Sequence, residues 1–248
     1  MNWVRLVKWV GAAIALALTA CAPSAQQSTN ASCRAVTFEA ATFTECVADL
    51  TRDRVRLVID PQLRTLHALA EALGANAKVR FAMNGGMYDN QGQPIGLAVV
   101  AGRQVHPLNR RHGEGNFHLL PNGVFSVEAD GWHVRSSDAY AATPRQPLMA
   151  TQSGPMLVIG GKLHPAFAPD GDSRYLRNGV GIDRSGKAHF VISDEPVSFG
   201  VFARLFRDQL GCPDALFLDG SVSALWDPAA GRIDRSVSLG PLLVVEPR

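Results

Sequence analysis

Four short polar clusters, each placed where an apolar run starts or stops, carry the residue types of a hydrolytic site. Asn84-Gly85-Gly86 follows the apolar run at 79–83, and Gln152-Ser153-Gly154-Pro155 precedes a second run. Arg177-Asn178-Gly179 precedes a third, and Asp219-Gly220-Ser221 ends the most apolar of them, 215–218. A carboxylate such as Asp219 can act as nucleophile or general base, and a guanidinium such as Arg177 grips two phosphate oxygens at once. Asn84, Gln152 and Ser153 suit the hydroxyls of a sugar, with Asn178 and Ser221 as further substrate-binding candidates. Gly85, Gly86 and Gly220 could offer backbone N–H groups, because a residue without a side chain lets a ligand approach the main chain. The alternative is four unrelated turns, since Asn, Gly, Asp and Ser are the commonest turn residues. On that reading Arg177 makes a structural ion pair and Asp219 caps the turn at Gly220. A shared site is favoured because every cluster sets an amide, a carboxylate or a guanidinium at a strand end.

Other chemistries are excluded by spacing. Gly179-Val180-Gly181 leads into a strand and hairpin rather than a helix, so it is no dinucleotide fingerprint. Gly220-Ser221-Val222-Ser223-Ala224 lacks the glycine and serine placement of a nucleophile elbow. The seven histidines never stand at i, i+4, and no cysteine pair has zinc spacing. Asp170-Gly171-Asp172 lacks the later ligands of a calcium loop and reads as a turn. The sequence calls for no cofactor or metal site, and leaves a divalent cation such as calcium open.

Strands and helices must hold these clusters in place. Pro121-Asn122-Gly123, Asp130-Gly131, Gly160-Gly161 and Ser185-Gly186 punctuate the chain at hairpin spacing. Strands are predicted at 96–100, 123–128, 156–159, 179–183, 189–193, 215–218 and 242–245. Two segments have helical period instead. The first places Asp60 as N-cap, Pro61 at the first position, a stripe of Leu63, Leu66, Leu69, Ala70 and Leu73, and a stop at Gly74. The second is capped by Ser198, striped by Phe199, Phe202, Leu205, Phe206 and Leu210, and ended by Gly211. Many short strands with tight turns argue for antiparallel pairing. The predicted class is α+β, a large, mostly antiparallel or mixed sheet system with two main helices packed on it.

With those motifs in view, the chain resembles the phosphodiester glycosidase domain family, in its small bacterial lipoprotein branch. Met83-Asn84-Gly85-Gly86-Met87-Tyr88, Gly115-Asn116-Phe117 and Pro121-Asn122-Gly123-Val124-Phe125 carry the likeness. So do Gln152-Ser153-Gly154-Pro155-Met156, Arg177-Asn178-Gly179-Val180-Gly181 and Leu218-Asp219-Gly220-Ser221-Val222-Ser223. The match runs in order from about residue 55 to 245. It departs where other branches have a fuller glycine run than Gly220-Ser221-Val222. The family includes a lysosomal enzyme that removes N-acetylglucosamine from a phosphodiester. The resemblance implies a hydrolase with Asp219, Arg177 and Asn84 as catalytic residues. It implies substrate contacts from Gly85, Gly86, Asn116, Gln152, Ser153, Asn178, Gly220 and Ser221, and a phosphodiester-linked sugar as substrate. His112, Glu114 and His118 flank Asn116 and read as solvated loop residues before proton donors. The rivals are a glycan-binding or envelope-assembly protein without turnover, and an ordinary glycosidase using two carboxylates.

The chain ends bound its setting. Arg5 and Lys8 precede an apolar run at 9–18, roughly half of the ~20 residues a membrane span needs. Leu18-Thr19-Ala20-Cys21 resembles the lipobox of bacterial lipoproteins, so residues 1–20 read as a signal peptide and Cys21 as the lipidated anchor. Ala22 resembles cargo of the outer membrane, facing the periplasm. Residues 21–32 read as lipidated cysteine and tether, and 33–248 as a single domain long enough for one core. Cys33 and Cys46 are spaced for a disulfide in an oxidising compartment, worth roughly 3 kcal/mol for a loop of about 14 residues. Cys212 reads as a buried inert thiol. A formal charge of +2, with Arg5 and Lys8 in the signal, leaves a nearly neutral domain and argues against nucleic acid as a partner.

Overall fold

The computed structural model describes Met1 and residues 32–143, 145–235 and 238–248. The signal and tether, including Cys21, lie outside the described residues. In chain order the elements are β1 (Cys33–Phe38), β2 (Ala41–Ala48), β3 (Asp53–Val58), α1 (Leu66–Leu73), β4 (Phe81–Asn84), β5 (Ala98–Val100) and β6 (Arg103–His106). Then come β7 (Gly123–Glu128), β8 (Gly131–Ser136), α2 (Ser137–Ala141), β9 (Met149–Ser153), β10 (Met156–Ile159), β11 (Lys162–Leu163), β12 (Asn178–Ile182) and β13 (Ala188–Ser193). The last are α3 (Phe199–Arg204), β14 (Asp214–Asp219), β15 (Leu225–Asp227), β16 (Arg232–Ile233) and β17 (Leu242–Pro247).

The strands form three antiparallel sheets, ordered β1-β2-β13-β12-β14-β10-β11, β16-β15-β4-β17-β3 and β6-β5-β9-β7-β8. The class is α+β, as the sequence predicted. Strands covered on both faces explain why the apolar runs lack alternation. In β14, Leu216 and Leu218 enter the central core, while Ala215 and Phe217 pack under α3. In β17, Leu243 and Val245 face that core, while Leu242 and Val244 pack against Leu66 and Leu69 of α1. Phe81, Phe125 and Phe190 meet edge to face at its centre, one from each sheet.

Helix α1 starts later than the sequence pattern suggests. Asp60 Oδ1 accepts from Gln62 N in a separate turn, and the cap is Thr65, whose Oγ1 accepts from Ala68 N at 3.0 Å. Both residues offer a side-chain oxygen to a nearby N–H, and only tertiary packing chooses between them. Gly74, at φ 77°, stops the helix as predicted. Ser198 caps α3, which widens into a π turn over Leu205–Gln209 before Gly211 closes it. The wide turn keeps Leu205, Phe206 and Leu210 buried on the sheet.

Two glycines of β12 belong to the packing under this helix. A Cβ at Gly181 would lie 2.7 Å from Phe206, and one at Gly179 would lie 2.8 Å from the Leu216 carbonyl. Cys33 and Cys46 face each other across β1 and β2 and are disulfide-bonded. Cys212 is buried, and burial pushes its thiol well up, so it is inert. No helix among the described residues is long and apolar enough to cross a membrane.

Candidate active site

The site forms where two sheets meet. Asn178 opens β12 opposite Asp219, the last residue of β14, and the register slips beside that pair because Leu218 has no partner on β12. A bulge of this kind re-aims the residue that follows it. Asn178 Nδ2 then crosses to the other sheet and donates to the Asn84 carbonyl at 2.8 Å and to Asn84 Oδ1 at 3.1 Å. Asn84 Oδ1 also accepts from Ala224 N at 2.9 Å, which ties the chain beyond Asp219 back onto β4. Asn84, Asn178 and Asp219 therefore share one polar seam, and all three are buried.

Asp219 does two things at once. Its Oδ1 accepts from Gly220 N at 2.6 Å and Ser221 N at 2.9 Å, which caps the turn, and the residue also lines a cleft of about 670 Å³. Burial raises its pKa above the ordinary aspartate value, and the N–H groups of Ser221, Gly220 and Val222 with the Asn84 amide only partly oppose that rise. Asn84 Nδ2 faces the carboxylate without a formed hydrogen bond and has no other partner among the described residues. Asn116, Ser221, Arg64, Tyr88, Glu114 and His118 are among the other cleft residues. Tyr88 donates to the Ser238 carbonyl at 2.5 Å, and the Arg64 guanidinium sits 5.5 Å from its ring centre.

Arg177 stands one residue before this seam, buried beneath the Asp219 loop. A Cβ at Gly220 would lie 3.5 Å from its Nη1. Its Nε donates to the Val197 carbonyl at 2.9 Å, Nη2 donates to the Ser173 carbonyl at 2.8 Å, and Cζ stacks 3.6 Å from the Phe199 ring centre. Among the described residues it makes no ion pair, and burial pulls its pKa down to about 10.

The family model described as phosphodiester glycosidase matches residues 77–239. The chain belongs to the phosphodiester glycosidase family. The protein YigE of Escherichia coli (strain K12) is 40% identical over 162 residues, 65% of this chain. This chain spans 63% of the length of that curated relative. The catalytic domain of zebrafish N-acetylglucosamine-1-phosphodiester alpha-N-acetylglucosaminidase, auto-inhibited by its pro-peptide, superposes with a TM-score of 0.58 at 19% identity. That match covers 87% of this chain and 82% of the zebrafish chain. A hypothetical protein from Synechocystis gives 0.57 at 16% identity, over 87% of this chain and 61% of its own. These two likenesses concern the fold alone.

Set on the phosphodiester glycosidase fold, the predicted site residues divide. Asp219, Asn116 and Ser221 line the cleft, while Asn178 is the ladder partner of Asp219 and bonds Asn84. Four predicted substrate contacts are instead spent on the protein. Gln152 Oε1 accepts from Leu97 N and Asn109 N, while Nε2 donates to the Asn109 carbonyl and Ser137 Oγ. Ser153 Oγ donates to the Leu218 carbonyl at 2.7 Å. The Gly85 N–H is bonded to the Pro241 carbonyl, and the Gly220 N–H to Asp219 itself. Gly86 is a packing glycine, since a Cβ there would lie 2.7 Å from Thr151 Oγ1. Arg177 was expected in an ion pair or on a phosphate; it makes no such pair and is absent from the cleft wall. The cleft's own guanidinium is Arg64, which the sequence did not mark. Its Nε donates to the Leu239 carbonyl, a partner 175 residues away, so no local pattern could have revealed it.

Proposed function

We propose that this protein is an envelope hydrolase cleaving glycosidic bonds of phosphodiester-linked sugars, with Asp219 as nucleophile or general base. The observation that carries the reading is a buried carboxylate of raised pKa lining a cleft, one strand from a buried guanidinium that has no acidic partner among the described residues. In the reaction the bond from the anomeric carbon to the phosphate oxygen breaks, and the phosphate monoester leaves with the electron pair. Such a leaving group needs little protonation. Asp219 either attacks the anomeric carbon, forming an ester that water then hydrolyses, or takes a proton from the water that attacks it. Asn84 Nδ2 faces the carboxylate and is free to donate to its charged form. Arg64 in the wall and Arg177 beneath the Gly220 turn supply positive potential for the departing phosphate. No cofactor is invoked.

The test is release of free sugar and phosphate monoester from α- and β-sugar-1-phosphate methyl diesters. Wild type should turn over at least one of them, and Asp219→Asn on the order of a hundredfold or more slower. Wild type performing no better than Asp219→Asn across the panel ends the hydrolase reading. Glu114 lines the same cleft and favours a second reading, a glycosidase with two carboxylates. That reading requires cleavage of a neutral aryl glycoside, abolished in Glu114→Gln.

We also infer that the domain, residues 33–248, is lipid-anchored in the envelope through Cys21, on the periplasmic side of the outer membrane. The signal pattern and the Cys33–Cys46 disulfide support export to an oxidising compartment. Cys21→Ala should move the protein from the membrane to the soluble fraction; a variant still in the membrane fraction refutes the anchor.

A further inference from the structure

The Asp219 cleft continues into a second hollow of about 560 Å³, which shares Asp89, Ile95 and His118 with it. The two halves differ in charge. Asp89, Glu114 and Asp219 line the first half against Arg64 and His118. The second half is lined by Arg110, Arg111, His106, His112 and His118, with Asp89 as its acid. Asp89 Oδ1 is occupied by the N–H groups of Gln91 and Gln93. Arg110 meets Asp138 at 2.8 Å, an exposed pair of the kind that contributes little. Arg111 makes no ion pair among the described residues.

The loop that bears these cations is fixed from beneath. Gln152, only 2% exposed, bonds both the N–H and the carbonyl of Asn109. Asn109 Nδ2 donates to the Ile95 carbonyl, and its Oδ1 accepts from Arg111 N. A His118 ring nitrogen lies 2.8 Å from the Arg111 carbonyl. The cations thus project from an anchored backbone, so little ordering remains when an anion binds. Each half alone has the size of a small-ligand site, and together they exceed what one glycosyl phosphate needs.

We propose that the groove at residues 106–112 is a second anion subsite, which seats the next phosphate of an extended phosphodiester-linked glycan while the scissile bond lies beside Asp219. This rests on the hydrolase reading and names its substrate class, a polyanionic chain rather than an isolated sugar phosphodiester. Guanidinium groups grip phosphate oxygens in pairs, and a groove in which basic side chains outnumber acids raises the local concentration of an anionic chain.

The experiment compares a single sugar-1-phosphate methyl diester with a synthetic trimer of the same repeat, in wild type and in an Arg110→Ala, Arg111→Ala double variant. Wild type should show kcat/KM at least tenfold higher for the trimer, mainly through KM, and 500 mM salt should erase the advantage. The double variant should keep wild-type kcat/KM on the single diester, retain its melting temperature, and lose the tenfold preference. Calorimetry with inorganic tripolyphosphate should give saturable binding to wild type and none to the double variant. Tri-galacturonate, a carboxylate polyanion, should bind at least tenfold more weakly. Equal kcat/KM for both substrates in wild type overturns the proposal, as does a double variant that keeps the preference. Equal affinity for tri-galacturonate overturns the assignment to phosphate. Should neither substrate be cleaved, the hydrolase reading fails, while tripolyphosphate binding lost in the double variant still upholds the groove as an anion subsite; binding unchanged in that variant overturns it.

Discussion

Replacing Gln152 with alanine should unfold the site rather than empty it. The side chain accepts from two backbone N–H groups, at Leu97 and Asn109, and donates to the Asn109 carbonyl and Ser137 Oγ. Leu97 is 2% exposed, so its N–H has no recourse to solvent once Oε1 is gone. Leaving a buried donor unpaired costs about 1–3 kcal/mol, so two of them amount to about 2–6 kcal/mol. In a domain of this size 1 kcal/mol moves the melting temperature by about 2–4 °C, which puts the expected loss at roughly 4–24 °C. Gln152→Glu should fare no better, because a carboxylate keeps the acceptor and loses both donated bonds. The assay pairs thermal melts with KM measured well below the variant's midpoint. There KM should lie within about threefold of wild type, because Gln152 is absent from the cleft wall. Refutation would be a Gln152→Ala protein that melts within a degree of wild type yet binds substrate more than tenfold more weakly. Gln152 would then belong to the sugar after all.

Asp219→Asn should lower kcat on the order of 10²- to 10⁴-fold, the usual contribution of a positioned base, and should raise the melting temperature at neutral pH. The second effect follows from sign: a carboxyl whose folded pKa exceeds its unfolded value loses stability as pH rises above 3.8 and through the folded pKa, and the amide removes that loss. For the same reason kcat/KM should fall on the acid side with an apparent pKa above 3.8, and a limb at or below 3.8 would refute Asp219 as the titrating group. Far from the cleft, a His189 ring nitrogen lies 2.6 Å from Glu45 Oε1 and the other 3.2 Å from Asp183 Oδ2. Burial opposes the charge, but the two carboxylates outweigh it and raise the His189 pKa. Its contribution is present in full below 6.5 and disappears as pH climbs through the raised folded pKa. Urea midpoints across that range should decline in wild type more than in His189→Gln; parallel curves would refute the linkage. Cys33→Ser with Cys46→Ser should cost about 3 kcal/mol in urea unfolding on the chain-entropy account, and an unchanged midpoint would show the bridge to be dispensable.

Seven of the seventeen strands among the described residues were legible in the sequence, because their signal is local. The runs at 123–128 and 156–159 coincide with β7 and β10, and those at 189–193 and 215–218 fall within a residue of β13 and β14. The pattern gave no notice of β3, where Arg54 and Arg56 alternate with buried Val55 and Leu57 and both pair with Glu246 on β17. Its outward charges find partners only once the C-terminal strand is beside it. In the site, the clusters were visible but their direction was not. Gln152 and Asp219 have equally polar tips at equally glycine-rich strand ends. One turns inward to hold a loop and the other lines the cleft, and composition does not encode that difference. Arg64 was hidden for the opposite reason: its neighbours predict a helix start, while its place in the cleft depends on Leu239 and Tyr88.

Asn178 donates across from the seven-stranded sheet to the end of β4 in its five-stranded neighbour, so the proposed reaction centre straddles a seam between two sheets. Neither sheet on its own holds a working half. Activity is then a gauge of the molecule's integrity: heat inactivation should share one midpoint with the loss of β-structure, rather than run ahead of it as it would for a site carried on a single detachable loop.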